Sequence, residues 1–216
     1  MSTAQLSLAD ATRLERCVSG GGVAVFPTDT VYGVCCDPES GTAARRLYEL
    51  KGRPADRPAA VMFFAVELAL QALPELHPSE RLAVRALLPG QLTLLLPNRH
   101  ARFAPACGPG EGALQSLGLR VPRLPPRIAA LSSLYVPVMQ SSANLSGAPD
   151  ARSLTEVPDT LLEGAELVLD GGELPGTPST VLDLRGYALR HDWHVVREGA
   201  VSRTVIAKTL ESLDHV

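Results

Sequence analysis

From the start of the chain, apolar residues fall at helical spacing: Leu8, Ala11, Leu14 and Val18 share one face, with Ser7 placed to cap it. Gly20-Gly21-Gly22 ends that helix. Val23–Phe26 is then apolar without a break, a buried strand that delivers Pro27-Thr28-Asp29-Thr30 to its end. Ser40 starts a second helix, on which Ala43, Ala44, Leu47 and Leu50 form the apolar stripe. Lys51 lies at its C-terminal end or just beyond, where the helix dipole favours a cation.

The pattern predicts a further strand over 59–64, a short helix over 66–72 and another from Ser79 to Leu88. Strands are expected at 92–96, 118–121, 136–140, 166–170 and 180–184. The segments 187–191 and 193–197 read as an antiparallel pair around Asp192, and a closing helix fits 203–213. Strands alternate with helices early and with one another late. The fold class is therefore α/β, one domain over 1–216 with a twisted mixed parallel/antiparallel sheet flanked by helices. Residues 97–118, with Pro97, Pro105, Pro109 and several glycines, show no periodicity. A stretch of that length is either a functional lid over a bound ligand or a mobile surface loop.

Composition narrows this picture. In 216 residues, 45% are apolar and only 4% aromatic, so the core is built from Leu, Val, Ala and Ile. The net charge of −3 gives no global attraction to nucleic acid or membrane. The informative charge is local: Arg45, Arg46, Lys51, Arg53 and Arg57 stand against Glu49 and Asp56. Cys17, Cys35, Cys36 and Cys107 show no chelating spacing, and the adjacent pair Cys35–Cys36 would sit on opposite faces of a strand. Reduced thiols in a cytoplasmic protein are expected. The N-terminus carries no signal-peptide pattern, and no apolar run is long enough for a membrane span.

Three cations within seven residues, Lys51, Arg53 and Arg57, could hold a polyphosphate, because guanidinium forks match pairs of phosphate oxygens and an ammonium adds a point charge. They could equally form a solvated basic face. Ser141-Ser142-Ala143-Asn144 follows the strand at 136–140 and presents small donors at a strand's carboxyl end, where α/β sheets bind ligands. It could also be a turn in which Ser and Asn bond their own backbone. Thr28, Asp29, Thr30 and Tyr32 form either a substrate-facing junction or a polar turn. Arg120 stands alone in an apolar strand, Leu119-Arg120-Val121-Pro122, and must find a partner or face solvent. The five histidines make no metal-ligand pattern, and no nucleophile elbow, phosphate loop or dinucleotide fingerprint is present.

In order and spacing, Pro27-Thr28-Asp29-Thr30-Val31-Tyr32-Gly33, Lys51-Gly52-Arg53, Leu119–Pro122, Ser141–Asn144 and Pro178-Ser179-Thr180-Val181 resemble the YrdC-like family of threonylcarbamoyl-AMP synthases, from about Gly22 to Gly199. The resemblance implies that Lys51 and Arg53 carry the catalytic charge and bind nucleotide, together with Arg57, Ser116, Ser142, Asn144, Asp150 and Arg197. It implies a threonine site at Thr30, Arg120, Gln140 and Ser179, and no protein-held metal. Two positions depart from the family: Met62 stands where longer relatives often hold a histidine that touches threonine, and Arg123-Leu124-Pro125 replaces a family histidine. Met62→His is expected to be tolerated.

The implied reaction joins L-threonine, bicarbonate and ATP, with magnesium arriving on ATP, into threonylcarbamoyl-AMP and pyrophosphate. Because the nucleophile is made from substrates, no catalytic triad is needed. The product would pass to a tRNA threonylcarbamoyl transferase, with tRNA contact by this chain left open. Two alternatives remain: an RNA-binding module, against which the scarcity of aromatic residues counts, and a carbamoyl-transfer domain of hydrogenase maturation, which normally sits in a longer chain with zinc-binding cysteines.

Overall fold

In the computed structural model, which describes residues 5–54, 58–107 and 116–213, helices begin where polar caps stand. α1 (Leu8–Ser19) opens on a capping box: Ser7 Oγ accepts from the Asp10 N–H at 3.3 Å, and Asp10 Oδ2 accepts from the Ser7 N–H at 2.9 Å. Ala11, Leu14 and Val18 are buried while Leu8 stays exposed. α2 (Gly41–Leu50) starts at Ser40, whose Oγ accepts from the Ala43 N–H at 3.2 Å, and it buries Ala43, Ala44, Leu47 and Tyr48. Lys51 is its C-cap residue. The remaining helices are α3 (Val66–Ala72), α4 (Pro78–Leu87), α5 (Asp159–Gly164), α6 (Tyr187–Arg190) and α7 (Arg203–Glu211).

The strands are β1 (Ala24–Pro27), β2 (Tyr32–Cys36), β3 (Ala60–Met62), β4 (Leu92–Pro97), β5 (Ser116–Arg120), β6 (Val138–Ser142), β7 (Leu167–Val168), β8 (Thr180–Asp183) and β9 (His194–Arg197). They form one mixed sheet in the order β7-β1-β2-β6-β3-β5-β4-β8-β9. The pairs β1–β7, β3–β5 and β4–β8 are parallel, and the other neighbours are antiparallel. The expected α/β domain with a mixed sheet is what the chain forms.

Strand alternation divides the sheet into two unlike faces. Val61, Leu92, Leu94, Leu96, Leu117, Leu119, Met139 and Leu182 point into one apolar core with residues of α2, α3, α4, α6 and α7. On the other face, Phe26, Met62 and Val138 are roofed by α1 and the 3-10 segment Pro126–Ser133. Beyond that roof the second face is open, and there the alternate residues are mostly polar or small, with Leu95 and Val181 among them.

Several expected elements change. The segment 187–191 is not a strand: Tyr187–Arg190 is a helical turn, ended by His191 in the left-handed region at φ 55°. A strand would place Tyr187 and Leu189 on one face, yet Tyr187 is buried and Leu189 exposed, as residues two apart on a helix must be. The partner of β9 is instead β8. β2 is a strand that the pattern does not predict, and β5 and β6 begin two residues away from the expected starts. Residues 98–107, the first part of the expected lid, are tied down. Asn98 Oδ1 accepts from the Arg102 N–H at 2.9 Å, Phe103 packs edge-on against Phe63, and the Ala106 carbonyl accepts from the Ala59 N–H at 2.9 Å. Of the remainder of that stretch, Pro97 ends β4, residues 116–118 belong to β5, and 108–115 lie outside the described residues. Met62 is fully buried in the roofed cluster, so the expectation that histidine is tolerated there gives way: an imidazole would be placed among Phe26, Phe64 and Val138.

Candidate active site

The open part of the second face is a cleft of about 300 Å³. Its floor follows strand alternation: Thr93 and Leu95 from β4, Ser116, Gly118 and Arg120 from β5, Gln140 and Ser142 from β6, and Val181 from β8 with Ser179 just before it. Thr30, Arg53, Asp150 and Arg197 line it as well. Nine of the residues expected for nucleotide or threonine thus line one cavity: Thr30, Arg53, Ser116, Arg120, Gln140, Ser142, Asp150, Ser179 and Arg197. Lys51 and Asn144 stand just behind its wall, and Arg57 lies outside the described residues.

At one end the buried Arg120 finds the partner its strand demanded. Nη2 donates to Asp29 Oδ1 at 2.9 Å and to Thr30 Oγ1 at 3.3 Å, and Nη1 donates to Gln140 Oε1 at 3.0 Å. Asp29 Oδ2 also accepts from the Arg123 N–H at 3.0 Å. Burial pushes the Asp29 carboxyl above the usual carboxylate range, and the Arg120 charge only partly offsets this. Arg120 Nε is buried without a hydrogen-bond partner. An unmatched guanidinium N–H on a cleft-lining arginine suits an acceptor such as a carboxylate oxygen.

The turn between β1 and β2 serves both roles left open by the sequence. Thr28 Oγ1 donates to the Val31 carbonyl at 2.7 Å and accepts from the Thr30 N–H at 3.2 Å, so Thr28 builds the turn. Thr30 then faces the cleft. Gly33 closes the motif where there is no room for a side chain, since a Cβ would sit 2.8 Å from Gln140 Nε2. Across the cleft, Ser179 Oγ shares a hydrogen bond with Thr93 Oγ1 at 2.8 Å, and Arg197 Nη2 donates to the Ser179 carbonyl at 2.8 Å.

At the other end Lys51 is buried (1% exposed) and donates to the Ser142 carbonyl, to the Asn144 carbonyl at 2.8 Å and to Asn144 Oδ1 at 3.1 Å. Ser142 Oγ donates to the same Oδ1 at 2.6 Å. Burial first, and then the nearby Arg53 charge, lower the Lys51 pKa to about 8. Asn144 also donates from Nδ2 to the Ala148 carbonyl, so the Ser-Ser-Ala-Asn run is a locally bonded turn as well as a cleft wall. Arg53 reaches Ser141 Oγ at 3.3 Å and the Pro58 carbonyl at 2.7 Å while lining the cavity. The described lining thus holds three guanidiniums, one of them paired with Asp29, against a single carboxylate, Asp150. Such a cleft is built for anions.

A family model described as "Telomere recombination", for the Sua5/YciO/YrdC group, matches residues 16–199. The chain belongs to the Sua5/YciO/YrdC family. It is 34% identical over 192 residues to the threonylcarbamoyl-AMP synthase of Xanthomonas euvesicatoria pv. vesicatoria, covering 86% of this chain and all of that one. It is likewise 34% identical over 168 residues to the threonylcarbamoyl-AMP synthase of Pyrococcus abyssi, covering 76% of this chain but only 47% of that longer protein. Among solved structures, P. abyssi Sua5 in complex with L-threonine superposes with a TM-score of 0.79 at 29% identity, over 95% of this chain and 58% of that one.

Within this Sua5/YciO/YrdC-family cleft, three residues to which the resemblance gives no nucleotide or threonine role take part. Asp29 pairs with Arg120, Thr93 orients Ser179, and Ser141 receives Arg53. A signal existed for Asp29, because a lone arginine in an apolar strand requires a nearby carboxylate. Nothing in the local pattern singles out Thr93, which reads as an ordinary β-former.

Proposed function

We propose that this protein is a threonylcarbamoyl-AMP synthase, a nucleotidyltransferase that joins L-threonine, bicarbonate and ATP and releases pyrophosphate. One observation carries the reading: Arg120, with its unmatched Nε–H, shares a cavity with Thr30, Gln140 and Ser179 at one end and with Arg53 at the other. The first group suits the carboxylate and hydroxyl of an amino acid. The second suits phosphates.

Threonine's amine adds to bicarbonate with loss of water to give a carbamate. A carbamate oxygen attacks the α-phosphorus, the bond to the β-phosphate oxygen breaks, and pyrophosphate leaves. The protein's part is to hold the two reactants in line and to offset charge that builds on the departing phosphates. Arg53 and Arg197 supply that charge, and Ser116, Ser142 and Asp150 line the intervening wall. Lys51 sets the position of Ser142 and Asn144. Magnesium comes with ATP, and the described lining offers it one carboxylate, Asp150, which fits a metal held mainly by phosphate oxygens and water. The adenylate is then used by a transferase acting on tRNA. A cytoplasmic setting accords with four free cysteines, and no helix among the described residues is long and apolar enough to cross a membrane.

The described cleft lining includes no aromatic ring, so it offers no base-stacking platform for an RNA-binding module. The deciding experiment measures pyrophosphate release with each of the three substrates left out in turn. A requirement for all three supports the synthase. Release without threonine marks a general nucleotide hydrolase, and no release with all three present returns the protein to the binding-module reading.

A further inference from the structure

A cleft that takes both an amino acid and ATP has to keep the phosphates away from the amino-acid end. Any unpaired guanidinium there would attract phosphates, with their several charges, more strongly than a zwitterion with none overall. Arg120 is not left unpaired. Its guanidinium meets Asp29 at 2.9 Å, and both side chains are buried.

Asp29 is absent from the described cleft lining and borders a separate cavity behind it, beside Gln91 and Arg123. Its position is fixed from that rear side. Gln91 Nε2 donates to the Asp29 carbonyl at 2.8 Å, the Arg123 N–H to its carboxylate, and the Arg123 guanidinium turns away to the Pro89 carbonyl at 3.0 Å. The carboxylate charge is thus directed at Arg120 from outside the substrate cavity.

We propose that Asp29 is a charge-sorting, positioning residue: by neutralising Arg120 from behind, it leaves in the cleft a guanidinium that offers hydrogen-bond donors without net charge. Three of the arginine's five N–H groups are matched by Gln140, Asp29 and Thr30, which leaves the buried Nε–H and one Nη1–H unmatched. Such a group accepts the single carboxylate of a zwitterionic amino acid and gives phosphate no advantage. Arg197, whose charge acts unfavourably on Arg120, lines the same cavity, so loss of Asp29 would add a second uncompensated guanidinium to it and extend the phosphate-attracting surface into the amino-acid end. The inference rests on the amino-acid and ATP reading above.

The test is calorimetric titration of L-threonine with and without sodium pyrophosphate, on the wild type and on Asp29→Asn. On the wild type, pyrophosphate should leave threonine affinity unchanged. On Asp29→Asn, pyrophosphate should become a competitor, raising the apparent threonine Kd about tenfold at low salt and less at high salt. A merely structural role would lower threonine affinity without creating that competition, and such a result overturns the proposal. So does displacement of threonine from the wild type by pyrophosphate, a measurement that stands even if Asp29→Asn does not fold. A wild type that binds no threonine at all overturns the synthase reading together with this one, whereas failure of the competition result alone leaves the synthase reading intact.

Discussion

The Lys51 ammonium donates to both the main-chain carbonyl and the side-chain oxygen of Asn144, 93 residues further on. The end of α2 and the turn after β6 are therefore one mechanical unit, and the cation that the motif supplies holds that unit together.

Replacement of Lys51 by Met should cost stability and nucleotide affinity together, because the Ser142 and Asn144 acceptors lose a buried donor. The pH dependence has a defined sign. With a folded pKa of about 8 against 10.5 for the free side chain, the unfolded chain binds more protons between those values. The Lys51 penalty is full below pH 8 and fades as pH rises towards 10.5. Urea unfolding of wild type minus Lys51→Met should therefore gain in the wild type's favour across that window, and a flat difference would contradict it.

Arg120→Ala is not a clean probe of threonine binding, since it strands the buried Asp29 carboxylate. It should lower stability by about 3–5 kcal/mol. Asp29→Asn added to it should recover part of that loss. Denaturant melts of the two single variants and the double variant give the coupling, and additivity would mean the pair does not interact.

Arg53→Ala should weaken ATP binding roughly tenfold and flatten its dependence on salt, because a charge facing phosphates is removed. Asn144→Ala, acting through the turn that Lys51 and Ser142 share, should weaken binding while keeping the salt dependence. Titrations at two ionic strengths separate the two. Retention of full affinity in both variants would make this segment a solvated face.

Met62→His should lower stability by about 2–3 kcal/mol, since no partner for an imidazole exists among Phe26, Phe64 and Val138. An unchanged thermal midpoint would show that the roof over this cluster opens readily.

Gly199→Ala should disturb the threonine end without touching Arg53. A Cβ there would lie 2.4 Å from the Pro178 carbonyl oxygen and 2.6 Å from the Ser179 carbonyl carbon, so the Ser179 backbone has to move. The expected cost is about 1–3 kcal/mol of stability, with threonine affinity reduced and ATP affinity kept.

The sequence by itself determined what depends on neighbours within a turn or on strand alternation. Ser7 and Ser40 announce their helices because a hydroxyl reaches an N–H three residues on. The set Thr30, Arg53, Ser116, Arg120, Gln140, Ser142, Asp150, Ser179 and Arg197 could be named because the family motifs occupy strand ends, and the fold does bring them to one cleft. Tertiary structure alone decided the partners. Asp29 and Arg120 lie 91 residues apart, and only the sheet order places the β1–β2 turn against the end of β5. Met62 reads as a strand residue of either face until α1 and Pro126–Ser133 roof one part of that face and leave the rest open. The turn at Tyr187–Arg190 looks like a strand because its alternation is too short to define a period, and burial of Tyr187 in the core shared with α4 and α7 settles it as helix. Periodicity fixes which way a side chain points along its own element; what it meets there is set by contacts between elements distant in sequence, which no local pattern encodes.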